Sequence, residues 1–246
     1  MIRTMAALLA LSGVTATAPL AAEQASARRA LNDFALLPAV QSPVLSPDGK
    51  AYAARIAVEG KQYVAIVPLD GKPRFIQAGE AQLNWWRWVN DQWLVIGVGD
   101  MVTIGGTEMY ASRALAVSAD AKRIIPLAYR EAAQSADDVI WTANDGSARL
   151  LLAYQTSAFL DEPGFWPQVR EFDLETGRSK LAQRSMNGVV SWYADGAGTV
   201  RIGIGHSEDG RSTRVLHRTR AGENLRVIDR ARTREEAVIV PSLFLP

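Results

Sequence analysis

Cysteine is absent from this chain. Disulfides, a thiol nucleophile and a cysteine-linked lipid are therefore excluded, and stability must come from packing and backbone ladders. Histidine is almost absent, with only His206 and His217. A serine triad needs a histidine base, and a catalytic metal site usually needs two or three ligands, so both chemistries have little to work with. There is no G-x-S-x-G turn, P-loop, H-E-x-x-H or EF-hand loop. Gly97-Val98-Gly99 and Gly203-Ile204-Gly205 begin like dinucleotide fingerprints but lack the third glycine and a following helix. Charge of one sign is also missing: Lys+Arg 27 against Asp+Glu 26 gives no bulk attraction to nucleic acid or anionic membrane.

One apolar run stands apart at the N-terminus. Met1-Ile2-Arg3-Thr4 precedes Met5-Ala6-Ala7-Leu8-Leu9-Ala10-Leu11, and small residues lead to Ala21-Ala22. That order is the pattern of a secretory signal peptide, and the run falls short of the ~20 apolar residues of a membrane span. Residues 1–22 are therefore expected to be a cleaved leader. The mature protein is expected to be periplasmic or secreted, with no membrane contact after cleavage. Residues 23–37, rich in Ala, Arg and Leu and stopped by Pro38, predict a short helix.

What is present after Pro38 is a repeat. Ser46-Pro47-Asp48-Gly49, Trp88-Val89-Asn90-Asp91, Trp141-Thr142-Ala143-Asn144-Asp145-Gly146 and Trp192-Tyr193-Ala194-Asp195-Gly196 echo one another about every 50 residues. Short β-type runs surround each copy. Ala51–Val58 and Gln62–Leu69 predict strands, and Trp93–Val98 reads as a strand buried on both faces. Asp70-Gly71, Ala119-Asp120, Glu175-Thr176-Gly177 and Ala221-Gly222 supply further turn chemistry. The fold expected is all-β: a partial β-propeller of about four four-stranded blades over 38–246. The blades are placed at about 40–77, 82–127, 137–183 and 187–229, with a fifth beginning at 237–246. Insertions are expected as loops at Gly99–Glu108, Ser157–Trp166 and His206–Gly210.

Tryptophans concentrate in the repeats. Their recurrence at Trp88, Trp141 and Trp192 favours packing between blades over a ligand cage, because a large ring fills the wedge between twisted sheets. The three are expected at matching places on first strands, with Val44 or Leu45 filling that place in the first unit. Asp48-Gly49, Asp145-Gly146 and Asp195-Gly196 are expected to be equivalent turns with positive φ at each glycine; Gln92 requires a different turn in unit two. His206-Ser207-Glu208-Asp209-Gly210 reads as a solvated hairpin loop, and His217 as a strand residue. Asp137-Asp138, Asp161-Glu162 and Glu235-Glu236 read as solvated acids, since adjacency alone does not make an acid–base pair. Arginines crowd between Arg201 and Arg234, but Glu208, Asp209, Glu223 and Asp229 interleave with them and no stacking aromatics accompany them. A mixed-charge surface is expected there, not a nucleic-acid groove.

Phe34-Ala35-Leu36-Leu37-Pro38, followed by Leu45-Ser46-Pro47-Asp48-Gly49-Lys50-Ala51-Tyr52-Ala53-Ala54, resembles the opening of bacterial exported serine peptidases of the prolyl-oligopeptidase type, the acylaminoacyl-peptidase and dipeptidyl-aminopeptidase-like members. The Trp-x-x-Asp-Gly turns and Phe172-Asp173-Leu174-Glu175-Thr176-Gly177 fit their propeller repeats, and exported TolB-type propellers share the S-P-D-G turn. The resemblance implies a propeller set over an α/β-hydrolase domain with a Ser-Asp-His triad. This sequence holds about four blades and no hydrolase domain, so it looks truncated and no triad position carries over. No catalytic, cofactor-binding or metal-ligating residue is expected, and no cofactor. The function expected is a non-catalytic propeller segment that gates peptide access to a hydrolase domain. The alternative is a stand-alone TolB-like propeller for binding or scaffolding. A peptide would be a partner only within a full-length peptidase, and open blade edges would favour self-association.

Overall fold

The computed structural model describes residues 40–58, 61–77, 79–207, 209–232, 238, 240 and 241. The expected leader (1–22) and helix (23–37) lie outside the described residues, as does most of the expected fifth unit. Within Ala39–Pro246, one compact unit, four antiparallel sheets follow one another, each of four strands in sequence order. The first blade contains β1 (Val40–Leu45), β2 (Ala51–Val58), β3 (Lys61–Pro68) and β4 (Arg74–Ile76). The second contains β5 (Gln82–Asn90), β6 (Trp93–Ile104), β7 (Thr107–Ser118) and β8 (Ile124–Pro126). β9 (Asp138–Thr142), β10 (Arg149–Tyr154), β11 (Gln168–Asp173) and β12 (Arg178–Gln183) form the third. β13 (Val189–Ala194), β14 (Val200–His206), β15 (Ser212–His217) and β16 (Arg226–Arg232) form the fourth. Four such meanders in a row are a partial β-propeller.

Three apolar seams hold the blades together. Val64, Ile66 and Ile76 meet Trp88, Leu94 and Ile96 between the first and second blades. Trp93, Val95 and Leu127 meet Leu150, Leu152 and Phe172 between the second and third. Leu151 and Val169 meet Trp192, Val200 and Leu216 between the third and fourth. Among the described residues, no core cluster joins the fourth blade to the first. The outer face of the fourth blade carries Ile202, Ile204 and Val215, with Tyr193 and Val238 packed against them.

The repeated turns also tie neighbouring blades. The Asp48 amide donates to the Asp91 carboxylate at 2.8 Å. Asn90 Nδ2 donates to the Gly146 carbonyl at 2.9 Å, and Trp141 Nε1 to the Gly196 carbonyl at 3.1 Å. The echo in the sequence is thus a row of ties running from each first-strand turn to the next.

The turns are not equivalent, however. Gly49 and Gly146 have positive φ, but in the fourth blade it is Gly198 and not Gly196. There the turn closes from Asp195 to Gly198, with the Gly198 amide 3.0 Å from the Asp195 carbonyl. Asp195 therefore corresponds to Ser46, not to Asp48. In the second blade Asn90 pairs directly with Trp93, and the Asn90 side chain accepts from the Gln92 amide, so no glycine is needed.

One turn recipe does recur, but it does not mark blade position. Ser46, Ser118 and Ser207 each donate a hydroxyl to the aspartate two residues on (Asp48, Asp120, Asp209). Each of those carboxylates accepts the amide two residues further, at Lys50, Lys122 and Arg211. These turns join β1 to β2, β7 to β8 and β14 to β15.

The tryptophans likewise divide. Trp88 and Trp192 are buried against the preceding blade, with Nε1 donating to Val44 and Pro167 carbonyls. Trp141 is half-buried and turns toward the following blade. It pairs with Leu151 and shares that residue's face toward the fourth blade, whereas Trp88 pairs with Leu94 and shares its face toward the first. Neither Val44 nor Leu45 takes a buried place, at 38% and 59% exposed, because no blade precedes the first among the described residues.

The expected loop at Gly99–Glu108 is instead a continuation of the β6–β7 ladder, paired to Ile104 and Thr107. Gly105 and Gly106 both have positive φ, the geometry of a two-residue turn matched to strand twist. The residues Met101 to Ile104 favour strand, which the two glycines permit.

Candidate functional site

First strands of consecutive blades lie side by side at two places, β1 beside β5 and β9 beside β13. Between β9 and β13 lies a cleft of about 510 Å³. Asp138 and Trp141 line it from β9, Ser191 and Tyr193 from β13, Asp195 from the turn, and Pro241 from the C-terminal segment. Its size falls in the range of small-ligand sites, about 300–1,000 Å³.

The two adjacent acids part company here. Asp137 is held by the Ser112 hydroxyl at 2.5 Å and by Trp85 Nε1 at 3.1 Å. Asp138 points its charge to the cleft and accepts no hydrogen bond from any described side chain or amide. It stays open to water, yet three blades surround it. That enclosure, and then the Asp137 charge, push its pKa up to about 6, while Arg87 pulls it down. Arg87 comes from β5. Its guanidinium donates to the Val139 carbonyl at 2.6 Å and lies 5.7 Å from the Trp85 ring centre. Burial lowers its pKa and the Asp138 charge opposes that. The Tyr193 hydroxyl is raised by burial, then by Asp138. Arg87, Asp138 and Tyr193, about 50 residues apart in sequence, thus come together from three consecutive first strands. Asp195 is already neutralised by Arg201 at 2.9 Å.

The remaining candidates are structural. His206 ends β14 with Nδ1 3.5 Å from Thr213 Oγ1, and Ser207 opens the hairpin turn described above. His217 pairs with Ile202 and Arg226 in the ladder. Asp161 and Glu162 are exposed ahead of the Pro163–Phe165 3-10 turn, and Glu235-Glu236 lie outside the described residues. Several arginines bond backbone rather than solvent: Arg214 to the Asn187 carbonyl, Arg218 to Val200, Arg201 to Arg218. Among the described residues no three His, Asp or Glu side chains gather as metal ligands. A larger cleft of about 640 Å³ between the first and second blades is lined by Arg55, Lys61, Gln77, Glu80 and Gln82, charges of both signs without an aromatic ring.

The glycine pairs that begin like dinucleotide fingerprints have a packing role. A Cβ on Gly97 would collide with the Trp85 indole, and one on Gly203 would lie 2.7 Å from the Trp192 ring. The first strand's tryptophan rests on the second strand's glycine in both blades.

No family model matches the sequence, and no curated protein does. Among solved structures, a putative TolB from Agrobacterium tumefaciens is 16% identical over 76% of this chain and 64% of its own, with TM-score 0.43. TolB from Acinetobacter baumannii is 13% identical over 76% of this chain and 40% of its own, with TM-score 0.35. An acylaminoacyl peptidase in complex with a chloromethyl ketone is 10% identical over 78% of this chain and 32% of its own, with TM-score 0.44. The chain thus spans less than two thirds of each of these structures. The propeller assignment rests on the order of the sheets and not on these distant likenesses.

Proposed function

We propose that this chain is a non-catalytic, peptide-admitting propeller segment of an exported serine peptidase of the prolyl-oligopeptidase type. Its cleft between β9 and β13 holds an extended peptide and leaves cutting to a separate hydrolase domain. The observation that supports this reading most is the cleft itself. It lies along two adjacent first strands and is lined by Trp141 and Tyr193 beside Ser191, with the Arg149 guanidinium over the Trp141 ring. Rings and hydroxyls of this kind accept many peptide sequences, because they engage apolar side chains and backbone polar groups alike. Export through residues 1–22 belongs to the same proposal. A free-standing binding propeller of TolB type would use the same cleft; the reading frame past codon 246 separates the two, since only the peptidase encodes further blades and a G-x-S-x-G turn.

The test is fluorescence anisotropy with a dye-labelled decapeptide, acetylated and amidated so that it carries no charge. Saturable binding is expected, with the peptide recovered intact and no labelling of the chain by a fluorophosphonate probe. Absence of binding, or labelling that one Ser→Ala change abolishes, would overturn the proposal.

A further inference from the structure

Among the described residues no further blade covers the outer face of the fourth. Yet Ile202, Ile204 and Val215 on that face are only 9%, 8% and 3% exposed. Tyr193 from the blade itself and Val238 from beyond β16 pack against these three. Three residues further on, Pro241 lines the cleft between β9 and β13. Tyr193 belongs to both places, since it packs in the outer cluster and also lines the cleft. The chain after β16 therefore comes back to the first strand of its own blade, seated at Val238 and reaching the cleft at Pro241. Three residues of extended chain span about 10 Å, so one short stretch joins the anchor to the cleft. The sequence favours an extended course there, because Pro241 fixes its own φ and holds Val240 out of the helical region.

We infer that the stretch anchored by Val238 and entering the cleft at Pro241 is a built-in competitor, which a bound peptide must displace. The inference rests on the peptide-holding role proposed above and names how that role is regulated. From Ala237 to Pro246 the sequence has no charged side chain. It is thus a peptide of the neutral class that the cleft is proposed to hold. A tethered segment acts at an effective concentration on the order of millimolar. It therefore holds off a weakly bound free peptide for as long as its anchor stays seated. The anchor is the packing of Val238 on Ile202, Ile204 and Val215. A carboxylate at that position would face three aliphatic side chains without a partner, so it leaves the face and takes the stretch with it.

The experiment measures the neutral decapeptide by anisotropy on the full chain and on Val238→Asp. The variant is expected to bind about three- to tenfold tighter, because the internal competitor is released. Unchanged or weaker binding by a variant that keeps its circular dichroism spectrum would show the stretch to be a wall of the cleft. That result would overturn the inference and leave the peptide-holding role standing. A second measurement does not depend on the variant folding. A synthetic peptide of the sequence Glu235 to Ser242 is added to the original chain with the labelled decapeptide, beside a peptide of the same residues in scrambled order. The first is expected to displace the decapeptide and the scrambled one is not. Equal displacement by the two, or none by either, would also overturn the inference. If the decapeptide binds neither the original chain nor a folded variant, the competitor and the peptide-holding role fall together.

Discussion

Trp192→Ala is expected to cost about 3–5 kcal/mol of stability, as for other buried large-to-small changes. The ring is 1% exposed and sits in the seam with Leu151, Val169, Val200 and Leu216. Its Nε1 donates to the Pro167 carbonyl at 2.7 Å, an acceptor supplied by the segment just before β11 in the third blade. Truncation therefore opens a cavity and removes one bond across the same seam. Urea unfolding followed by circular dichroism measures the loss. Trp141→Ala is the comparison, because its ring is half-buried and lies against Gly198 and Arg149 at the surface. Its cost should be about half as large on area grounds. Equal small losses for the two variants would contradict the seam between the third and fourth blades.

Gly205→Ala is expected to be as damaging for the opposite reason. A Cβ at Gly205 would stand 2.6 Å from Val189 Cα and closer still to the Gly188 carbonyl oxygen. Both obstacles are backbone, so no side chain can swing aside. The carbonyl concerned also accepts the His206 amide at 2.8 Å, so moving it breaks the β13–β14 junction. Overpacking costs about 1–3 kcal/mol in ordinary cores, and a rigid backbone clash belongs at or above the top of that range. Gly196→Ala is the control: nothing lies within 4 Å of its Cβ position and its φ is not positive. That change should stay within about 0.5 kcal/mol. The same denaturation series reads both, and a tolerated Gly205→Ala would contradict the close approach of β13 to β14.

Local chemistry was legible in the sequence. Ala51–Val58 is a strand with the expected bounds, and Gly177 and Gly222 do turn with positive φ. Such features depend on a few neighbouring residues. Facing direction was less legible. The three recurrent tryptophans look alike in sequence, but each ring takes the face of its ladder partner, Leu94 for Trp88 and Leu151 for Trp141, and those partners face opposite neighbours. Turn length was hidden for a similar reason, since Asp-Gly serves turns of different span in the third and fourth blades. The S-x-D-x-[KR] pattern at Ser46, Ser118 and Ser207 was available as a signal, but its uneven spacing concealed it behind the longer repeat. The cleft was least legible of all. Asp137 and Asp138 are adjacent and chemically identical, and only the fold gives one to Ser112 and the other to the space beside Tyr193. An alignment of the repeats on their first strands would have placed Arg87, Asp138 and Tyr193 on neighbouring strands, but not their separate roles.

The most direct measurement is photo-crosslinking of a decapeptide bearing a diazirine, with adducts mapped by mass spectrometry. If the cleft between β9 and β13 holds the peptide, adducts will fall on residues 138–142 and 189–196, and excess unlabelled peptide will suppress them. Adducts confined to the β6–β7 hairpin or to residues 155–167, or adducts that competitor does not suppress, would contradict the account.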